Sequence, residues 1–189
     1  MKRAIFLDRD GVLNVEKTFV LSPSEMELYP GVGQAVRKIN QSAFLAIVVT
    51  NQSAVARNYI TEEDLVAIHQ ELRRQLEEHG AYLDGLYYCP HREELNKTPR
   101  NPGYIVDCEC RKPKPGMLVQ AARDYHIDLA GSYLIGDSVR DIEAGKKAGC
   151  TTIGLRTGHG LKGLEDPPDH IFDHLKKAVD FILESESAG

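Results

Sequence analysis

Residues 2–12 read KRAIFLDRDGV. Segment 2–7 is short and mostly apolar, which is typical of a buried strand, and Asp8 and Asp10 follow it directly. Two carboxylates two residues apart at a strand end can converge on a hard cation, and one of them can attack phosphate as a nucleophile. An ordinary polar turn closed by Gly11 has the same sequence pattern, so the motif alone does not decide between a functional site and a turn.

Short apolar runs alternate with helical patterns along the rest of the chain. The other predicted strands are residues 43–50, 85–89, 132–135 and 151–155. The predicted helices are residues 31–41, 61–79, 115–127, 138–149 and 173–184. The alternation predicts an α/β fold: a doubly wound, mainly parallel sheet with helices on both faces. In such folds ligands bind beyond the carboxyl ends of the strands.

The helix predicted at 61–79 has the clearest start signal. Thr61 is its N-cap, and Asp64 three positions later completes a capping box. An apolar stripe with helical spacing follows at Leu65, Ile68, Leu72 and Leu76. The histidines in helical segments, among them His69, are interpreted as surface or capping residues.

Composition and charge limit the class of protein. The chain has 189 residues, enough for one domain spanning 1–189 with a sizeable core. Its formal net charge of -5 gives no general basic footprint for nucleic acid. No apolar run is long enough to cross a membrane, and no signal peptide is indicated. We therefore expect a cytoplasmic monomer that binds neither nucleic acid nor membranes.

Two further motifs carry groups that suit a phosphate. Residues 50–53 read TNQS, where a hydroxyl and adjacent backbone N–H groups can hold phosphate oxygens. A strand-to-helix cap uses the same residue types. Residues 111–116 read RKPKPG, in which Lys112 can screen a phosphoryl charge and Arg111 can hold an anion with two hydrogen bonds. A solvated basic turn is the alternative.

A second acidic motif, GDSVRD, occupies residues 136–141. Asp137 can complete a magnesium site at a strand end. Asp141, four residues later, can orient a lysine or a metal-bound water. Helix capping by Asp137 or Ser138 is the alternative.

Three of the four cysteines cluster with a histidine. CPH at 89–91 and CEC at 108–110 supply three thiolates and one imidazole, a full tetrahedral zinc set. The loop between them is polar, so a structural zinc would fix it. The predicted ligands are Cys89, His91, Cys108 and Cys110, within a zinc loop of about 89–110. Unrelated thiols beside a surface histidine are the alternative.

The order of the motifs over residues 8–141 resembles that of the haloacid-dehalogenase phosphatase superfamily. The resemblance implies that Asp8 is the nucleophile and Asp10 is first general acid and then general base. It also implies that Thr50 and Lys112 bind the phosphoryl group. Magnesium would be held by Asp8, the backbone carbonyl of Asp10, and Asp137, and the reaction would pass through an aspartyl-phosphate.

The segments DRDGVLN, TNQS, CPH and CECRKP are together similar to those of the D-glycero-D-manno-heptose 1,7-bisphosphate 7-phosphatase family. This resemblance covers residues 5 to about 160 and implies a fold without a large cap domain. It implies a small phosphorylated sugar as substrate, in the biosynthesis of nucleotide-activated heptose for lipopolysaccharide. The implied substrate contacts are Glu16, Lys17, Thr18, Phe19, Asn51, Gln52, Ser53 and Arg111. Ser138 departs from the family, many of whose members have Lys there.

Other functions fit parts of the same pattern. Histidinol-phosphate phosphatases are similar in motifs and zinc loop, and polynucleotide 3′-phosphatases share the chemistry. A phosphoacceptor receiver domain also combines Asp, Thr and Lys, but its acceptor usually follows the third strand. A zinc-stabilised binding module without catalysis would leave Asp8, Asp10 and Asp137 unexplained. Substrate assays discriminate between the enzymes.

Overall fold

The computed structural model describes residues 1–93 and 100–187. Its strands are β1 (Arg3–Leu7), β2 (Phe44–Asn51), β3 (Gly85–Cys89), β4 (Tyr133–Gly136), β5 (Thr151–Leu155) and β6 (His170–Phe172). Its α-helices are α1 (Val32–Asn40), α2 (Glu62–Glu77), α3 (Gly116–Tyr125), α4 (Val139–Ala148) and α5 (Leu175–Ser187). The six strands form one sheet, and every pairing between them is parallel. The predicted doubly wound fold is confirmed.

Helices cover both faces of the sheet, which explains the continuous apolar run at residues 4–7 of β1. Ile5 and Leu7 join a core with buried residues of α1, α2 and α5. Ala4 and Phe6 point to the opposite core, which contains buried residues of α3 and α4. Because side chains alternate between the faces of a strand, burial on both faces requires a continuous apolar run.

The strand order β3-β2-β1-β4-β5-β6 places β1 at the centre of the sheet. From β1 the chain winds outward to β2 and β3, then returns to pair β4 on the other side of β1. The order therefore reverses between β1 and β4, where the backbone N–H of Asp8 donates to the carbonyl of Ile135 at 3.0 Å. This is the topological switch point, where ligands bind in open α/β sheets.

Helix α2 begins and packs as its sequence predicts. The Thr61 hydroxyl accepts from the Asp64 backbone N–H at 3.1 Å, and the Asp64 carboxylate accepts from the Thr61 N–H at 2.9 Å. The capping box is therefore complete. All members of the predicted apolar stripe are fully buried: Leu65, Ile68, Leu72 and Leu76.

Two features differ from the sequence expectations. The short edge strand β6 was not predicted, because its residues are partly exposed and lack a continuous apolar run. The expectation of a surface or capping role for His69 is wrong, since only 5% of this residue is exposed. Its ring lies beside Arg9, which is distant in sequence and belongs to the loop after β1.

The described connections carry turns, isolated bridges and two 3-10 helices of three residues each, Pro23–Glu25 and Pro102–Tyr104. The expectation of a fold without a large cap domain therefore holds for residues 1–93 and 100–187. The predicted zinc loop follows β3, and its middle, residues 94–99, lies outside the described residues. Over the described ranges, no helix combines the length and the apolar character that a membrane span requires.

We expect Leu72→Ala to lower the free energy of unfolding by about 2–5 kcal/mol, because it removes methyl groups from a fully buried site. Val66→Ala, on the same helix but 44% exposed, is the matched control and should change stability by about 0.5 kcal/mol or less. Urea unfolding followed by circular dichroism measures both. Equal shifts in the two variants would contradict the packing described for α2.

Candidate active site and metal centres

Acidic and basic side chains meet at the carboxyl edge of the sheet, around a cavity of about 240 Å³. Asp8 and Asp10 follow β1, Asp137 follows β4, and residues 51–53 lie at and directly after the end of β2. The described residues that line the cavity are Asp8, Asp10, Glu16, Thr18, Phe19, Asn51, Gln52, Ser53, Arg92, Arg111, Lys112, Asp137, Ser138, Arg140, Asp141 and His159. The motifs that are separate in sequence thus form one site.

Lys112 places a buried ammonium group at this site. The residue is 2% exposed, and its Nζ donates to the Val49 carbonyl at 2.7 Å and to Asp141 Oδ1 at 2.6 Å. The same Nζ lies 3.0 Å from Asp8 Oδ1. Burial disfavours the charge, but the carboxylates of Asp141 and Asp8 outweigh it and raise the pKa of Lys112. Lys112 is therefore a permanent cation, and Asp141 is the group that orients it.

Asp8 lies next to the Lys112 ammonium and near three other carboxylates, those of Asp141, Asp137 and Asp10. Burial and the neighbouring Asp141 carboxylate raise its pKa to about 8, although Lys112 acts in the opposite direction. Its Oδ1 also accepts from the Arg9 backbone N–H at 2.7 Å. A second cation near Asp8 would favour its ionised form, which is the nucleophilic one.

Asp10 is held by donors on three sides. Arg9 Nη2 contacts Oδ1 and Oδ2 at 2.9 and 3.0 Å, Asn14 Nδ2 donates to Oδ1 at 3.0 Å, and Gln52 Nε2 donates to Oδ2 at 2.7 Å. Burial raises the pKa of Asp10, but the charge of Arg9 and these hydrogen bonds outweigh it, so the pKa is lowered. The resting group is a fixed carboxylate.

The TNQS motif has structural and cavity-facing roles. The Thr50 hydroxyl is buried and accepts from Gln52 Nε2 at 2.9 Å. Asn51 forms two hydrogen bonds with the Lys112 backbone, donating to its carbonyl at 2.9 Å and accepting from its N–H at 3.0 Å. Gln52 and Asn51 therefore position Asp10 and Lys112, and Ser53 lines the cavity.

The carboxylates around Asp8 fit a magnesium ion. Oxygens of Asp8, Asp137 and Asp141 lie within 4.8 Å of one another, while Lys112 supplies one positive charge. Asp141 is already engaged, because Lys112 and the Ser138 hydroxyl, at 2.7 Å, donate to its two oxygens. Asp8 and Asp137 are thus the side chains available to a hard divalent cation, for which an all-oxygen donor set is suited.

Asp137 is fixed by the segment after β5. His159 donates its backbone N–H to Asp137 Oδ2 at 2.6 Å, and its Nδ1 lies 3.0 Å from the same oxygen. Two glycines leave room for the same carboxylate. A Cβ built on Gly11 would stand 2.3 Å from Asp137 Oδ2, and one built on Gly158 would stand 2.1 Å from it. Both glycines also have positive φ, so the close approach requires their lack of a side chain. His159 was not singled out from the sequence. Its position shortly after a predicted strand was the signal that could have placed it at the site.

The cysteine cluster forms a separate centre beside the cavity. Cys89 Sγ lies 3.5 Å from Cys108 Sγ, and Cys108 Sγ lies 3.4 Å from Cys110 Sγ. His91 Nδ1 is 3.8 Å from Cys89 Sγ and 3.4 Å from Cys110 Sγ. Ligands around a tetrahedral zinc with Zn–S bonds of 2.3 Å stand about 3.7 Å apart. The four predicted ligands therefore have the spacing that zinc requires.

The segment 16–19 forms the outer wall of the cavity. The Thr18 backbone N–H donates to Glu16 Oε1 at 2.6 Å, and the Phe19 ring packs edge-on against Tyr59 at 5.3 Å between centroids. Lys17 points elsewhere: its Nζ contacts Glu27 at 3.0 Å. Of the four contacts predicted from this segment, three line the cavity and Lys17 does not.

Three arginines, two from loops and one from α4, line the cavity. Arg111 donates to the His91 carbonyl at 3.0 Å, which links it to the cysteine cluster. Arg92 and Arg140 line the same cavity and were not singled out from the sequence. Burial, and then the charge of Arg140, lowers the pKa of Arg111, and burial with neighbouring arginines lowers that of Arg92. Three guanidinium groups so close together favour an anionic ligand.

Arg9 itself depends on a histidine. Its side chain is fully buried, and Nη1 lies 3.1 Å from His69 Nε2 while Nη2 contacts Asp10. Burial and the charge of Arg9 lower the pKa of His69 to about 3, so the ring is neutral. Because a guanidinium has no acceptor, Nε2 accepts the hydrogen bond and the proton of the ring is on Nδ1.

Comparisons with known proteins agree with this geometry. Residues 109–178 match the family model described as HAD-hydrolase-like. The chain is 38% identical to the D-glycero-beta-D-manno-heptose-1,7-bisphosphate 7-phosphatase of Pasteurella multocida over 186 residues, which covers 98% of this chain and 93% of that protein. It is 39% identical to the D-glycero-D-manno-heptose-1,7-bisphosphate 7-phosphatase of Thermosynechococcus vestitus, with 95% and 94% covered.

Solved structures show the same similarity. The D,D-heptose 1,7-bisphosphate phosphatase of B. bronchiseptica, complexed with magnesium and phosphate, superposes with a TM-score of 0.85 at 36% identity. The alignment covers 98% of this chain and 99% of that one. The corresponding enzyme of Burkholderia thailandensis gives a TM-score of 0.70 at 28% identity, with 96% and 99% covered.

The two centres should differ in how tightly they hold metal. We expect mild chelation with EDTA to stop phosphatase turnover and added Mg²⁺ to restore it, because oxygen ligands hold magnesium loosely. Zinc at the cysteine cluster should survive, with about one zinc per chain, because thiolates in a closed site bind it tightly. Elemental analysis before and after chelation measures this.

Variants at the cysteine cluster provide the control. Cys108→Ser should lose zinc, whereas Cys150→Ser should keep it, because buried Cys150 lies outside the cluster. Cys108→Ser should also lose activity, since Arg111 is held by the His91 carbonyl. Wild-type protein without zinc, when purified in the absence of chelators and oxidants, would contradict the assignment.

Proposed function

Since the chain belongs to the family of D-glycero-D-manno-heptose-1,7-bisphosphate 7-phosphatases, haloacid-dehalogenase-like hydrolases, we propose that it is a magnesium-dependent phosphatase. It removes the 7-phosphate of D-glycero-D-manno-heptose 1,7-bisphosphate, in the biosynthesis of nucleotide-activated heptose. The observation that carries this proposal is the placement of the Asp8 carboxylate 3.0 Å from the buried Lys112 ammonium, in the same cavity as the fixed carboxylate of Asp10.

Asp8 is the nucleophile of the proposed reaction. A carboxylate and a dianionic phosphate repel each other, so positive charge must be in place before they approach. Lys112 supplies one such charge. Magnesium, held by Asp8, Asp137 and the Asp10 carbonyl, supplies the rest when bound. The Asp8 oxygen attacks phosphorus, the bond to the sugar oxygen breaks, and an aspartyl-phosphate forms on Asp8.

Asp10 moves the proton in both halves of this reaction. In its protonated form it donates to the leaving sugar oxygen, and the resulting carboxylate then takes a proton from water, which attacks the aspartyl-phosphate. This second step releases phosphate, restores Asp8 and returns Asp10 to its protonated form. The lowered pKa of the resting group suits the base step. The negative charge of bound phosphate raises that pKa and favours the acid step.

In this proposal the arginines of the cavity bind the second phosphate of the substrate. Arg111, Arg92 and Arg140 line the wall that a 1-phosphate would face when the 7-phosphate lies at Asp8. Ser138 caps α4 through Asp141 instead of offering the family's lysine. Arg140, two residues later, brings a positive charge to the same cavity.

The remaining assignments complete the proposal. The whole chain acts as one phosphatase domain, and the zinc centre orders the loop that carries Arg111. We propose a cytoplasmic monomer without nucleic-acid or membrane partners, supported by the net charge of -5 and by the zinc centre's need for reduced thiols. The substrate is a small phosphorylated sugar, which the relatives' activity and a cavity of about 240 Å³ support.

Substrate profiling tests the function directly. Phosphate release is measured from both anomers of heptose 1,7-bisphosphate, from histidinol phosphate and from a 3′-phosphorylated oligonucleotide. We expect one phosphate per bisphosphate molecule and the highest kcat/KM on a heptose anomer. A higher kcat/KM on histidinol phosphate would replace the proposed substrate while leaving the phosphatase chemistry in place.

We expect Asp8→Asn to abolish turnover with the fold intact, because a neutral amide does not attack phosphorus. Asp10→Asn should lose about 10²–10⁴-fold in kcat, the usual contribution of general acid–base catalysis. Steady-state kinetics on magnesium-loaded protein measures both, with circular dichroism as the folding control. Near wild-type turnover of Asp8→Asn would refute the covalent mechanism.

Arg111→Ala should distinguish recognition from catalysis. We expect kcat/KM to fall at least about tenfold more on heptose bisphosphate than on an aryl phosphate, because charge-assisted hydrogen bonds to the second phosphate are lost. Arg123→Ala, which removes an exposed charge on α3, is the matched control and should change neither. Equal losses of Arg111→Ala on both substrates would remove Arg111 from substrate recognition.

A further inference from the structure

The buried pair of Arg9 and His69 plays no direct part in the reaction described above. Arg9 is 0% exposed and is the largest fully buried side chain of the described residues. Its Nη2 holds Asp10, its Nη1 contacts His69, and its Nε has no hydrogen-bond partner among those residues. The orientation of this guanidinium therefore depends on two neighbours, Asp10 and His69.

We propose that His69 is a positioning residue for catalysis: its neutral imidazole accepts a hydrogen bond from Arg9 and so fixes the guanidinium that orients the Asp10 carboxylate. The proposal rests on the proposed function, in which Asp10 protonates the leaving oxygen. It extends the site from the sheet edge into α2, an element that contributes no residue to the cavity lining.

The surroundings of His69 fix its ring. His69 lies on α2 directly after the fully buried Ile68, and only 5% of it is exposed. Its ring centroid lies 5.5 Å from that of Tyr88, whose hydroxyl donates to Glu62 Oε1 at 3.0 Å. Glu62 begins α2, so one helix supports both the histidine and the tyrosine beside it.

The chemistry explains why this support matters. Two hydrogen bonds that Arg9 Nη2 donates to Asp10 define where the carboxylate oxygens lie. Misplacement of a catalytic group by about 1 Å can lower a rate by about 10²-fold. Without the His69 acceptor, Nη1 would be a buried charged donor without a partner. A buried charged group in that position turns towards any other acceptor that it can reach, and Asp10 would turn with it.

His69→Phe tests the role, because it removes the acceptor and keeps a planar ring. The readout is kcat/KM on two substrate classes, a sugar phosphate and p-nitrophenyl phosphate. This constant covers only the steps up to phosphorylation of Asp8, where a sugar alkoxide needs a proton from Asp10 and nitrophenolate leaves without one. We expect a loss of about 10–100-fold on the sugar phosphate and of about threefold or less on the aryl phosphate.

Four further variants complete the experiment. His69→Gln retains an acceptor and should recover most of the sugar-phosphate activity. Ile68→Val shortens a neighbouring core side chain without touching Arg9, so its losses should be equal on both substrates. Asp10→Asn sets the maximum difference between the two substrate classes. Should His69→Phe fail to fold, His69→Met takes its place, since its flexible side chain adapts to the core.

The outcomes separate this proposal from the proposed function. Equal losses of the His69 variants on both substrates, or no loss, would overturn the positioning role while Asp10→Asn still discriminates between the substrates. If Asp10→Asn shows no such discrimination, the general-acid assignment falls and the role of His69 falls with it. Selective loss in His69→Phe together with recovery in His69→Gln supports the proposal.

Discussion

The ion pairs of Lys112 with Asp8 and Asp141 constrain the rest of the site. A buried ammonium needs carboxylates, but the carboxylates of Asp8 and Asp141 already exceed its single positive charge, and Asp137 adds a third. Burial, together with this excess of negative charge, raises the pKa of Asp8 and favours its protonation, and a divalent cation would restore the balance. Charge balance at this one point therefore links the nucleophile, the lysine and the need for metal.

The fold provides this arrangement through strand ends and close packing. Asn51 holds the Lys112 backbone to the end of β2, so a loop residue has the rigidity of the sheet. Asp141 can approach the end of β4 because residue 136 is glycine: a Cβ built on Gly136 would stand 2.1 Å from the Cβ of Asp141. Loop flexibility is thus removed where charges must meet, while residues 16–19 and the arginines form the outer, more exposed walls.

Much of this was predictable from the sequence, for a physical reason. Strands buried on both faces have continuous apolar runs, a capping box lies within four residues, and residues after parallel strands share one edge. The packing of side chains outside these motifs was not predictable. Arg92 and Arg140 meet only in the folded chain, buried His69 contacts Arg9 from the loop after β1, and Lys17 turns towards Glu27. Strand β6 has too little apolar character to be recognised.

The strand order also has a consequence during synthesis on the ribosome. β1 is made first and becomes the central strand, and β2 pairs one of its edges after residue 44. Its other edge waits for β4, which begins only at residue 133. Until then Asp8 and Asp10 stand beside an unpaired edge, without Asp137 or Asp141. The nascent chain therefore lacks part of the proposed site for most of its elongation, and the edge of β1 that will lie at the centre of the sheet stays open to wrong pairing.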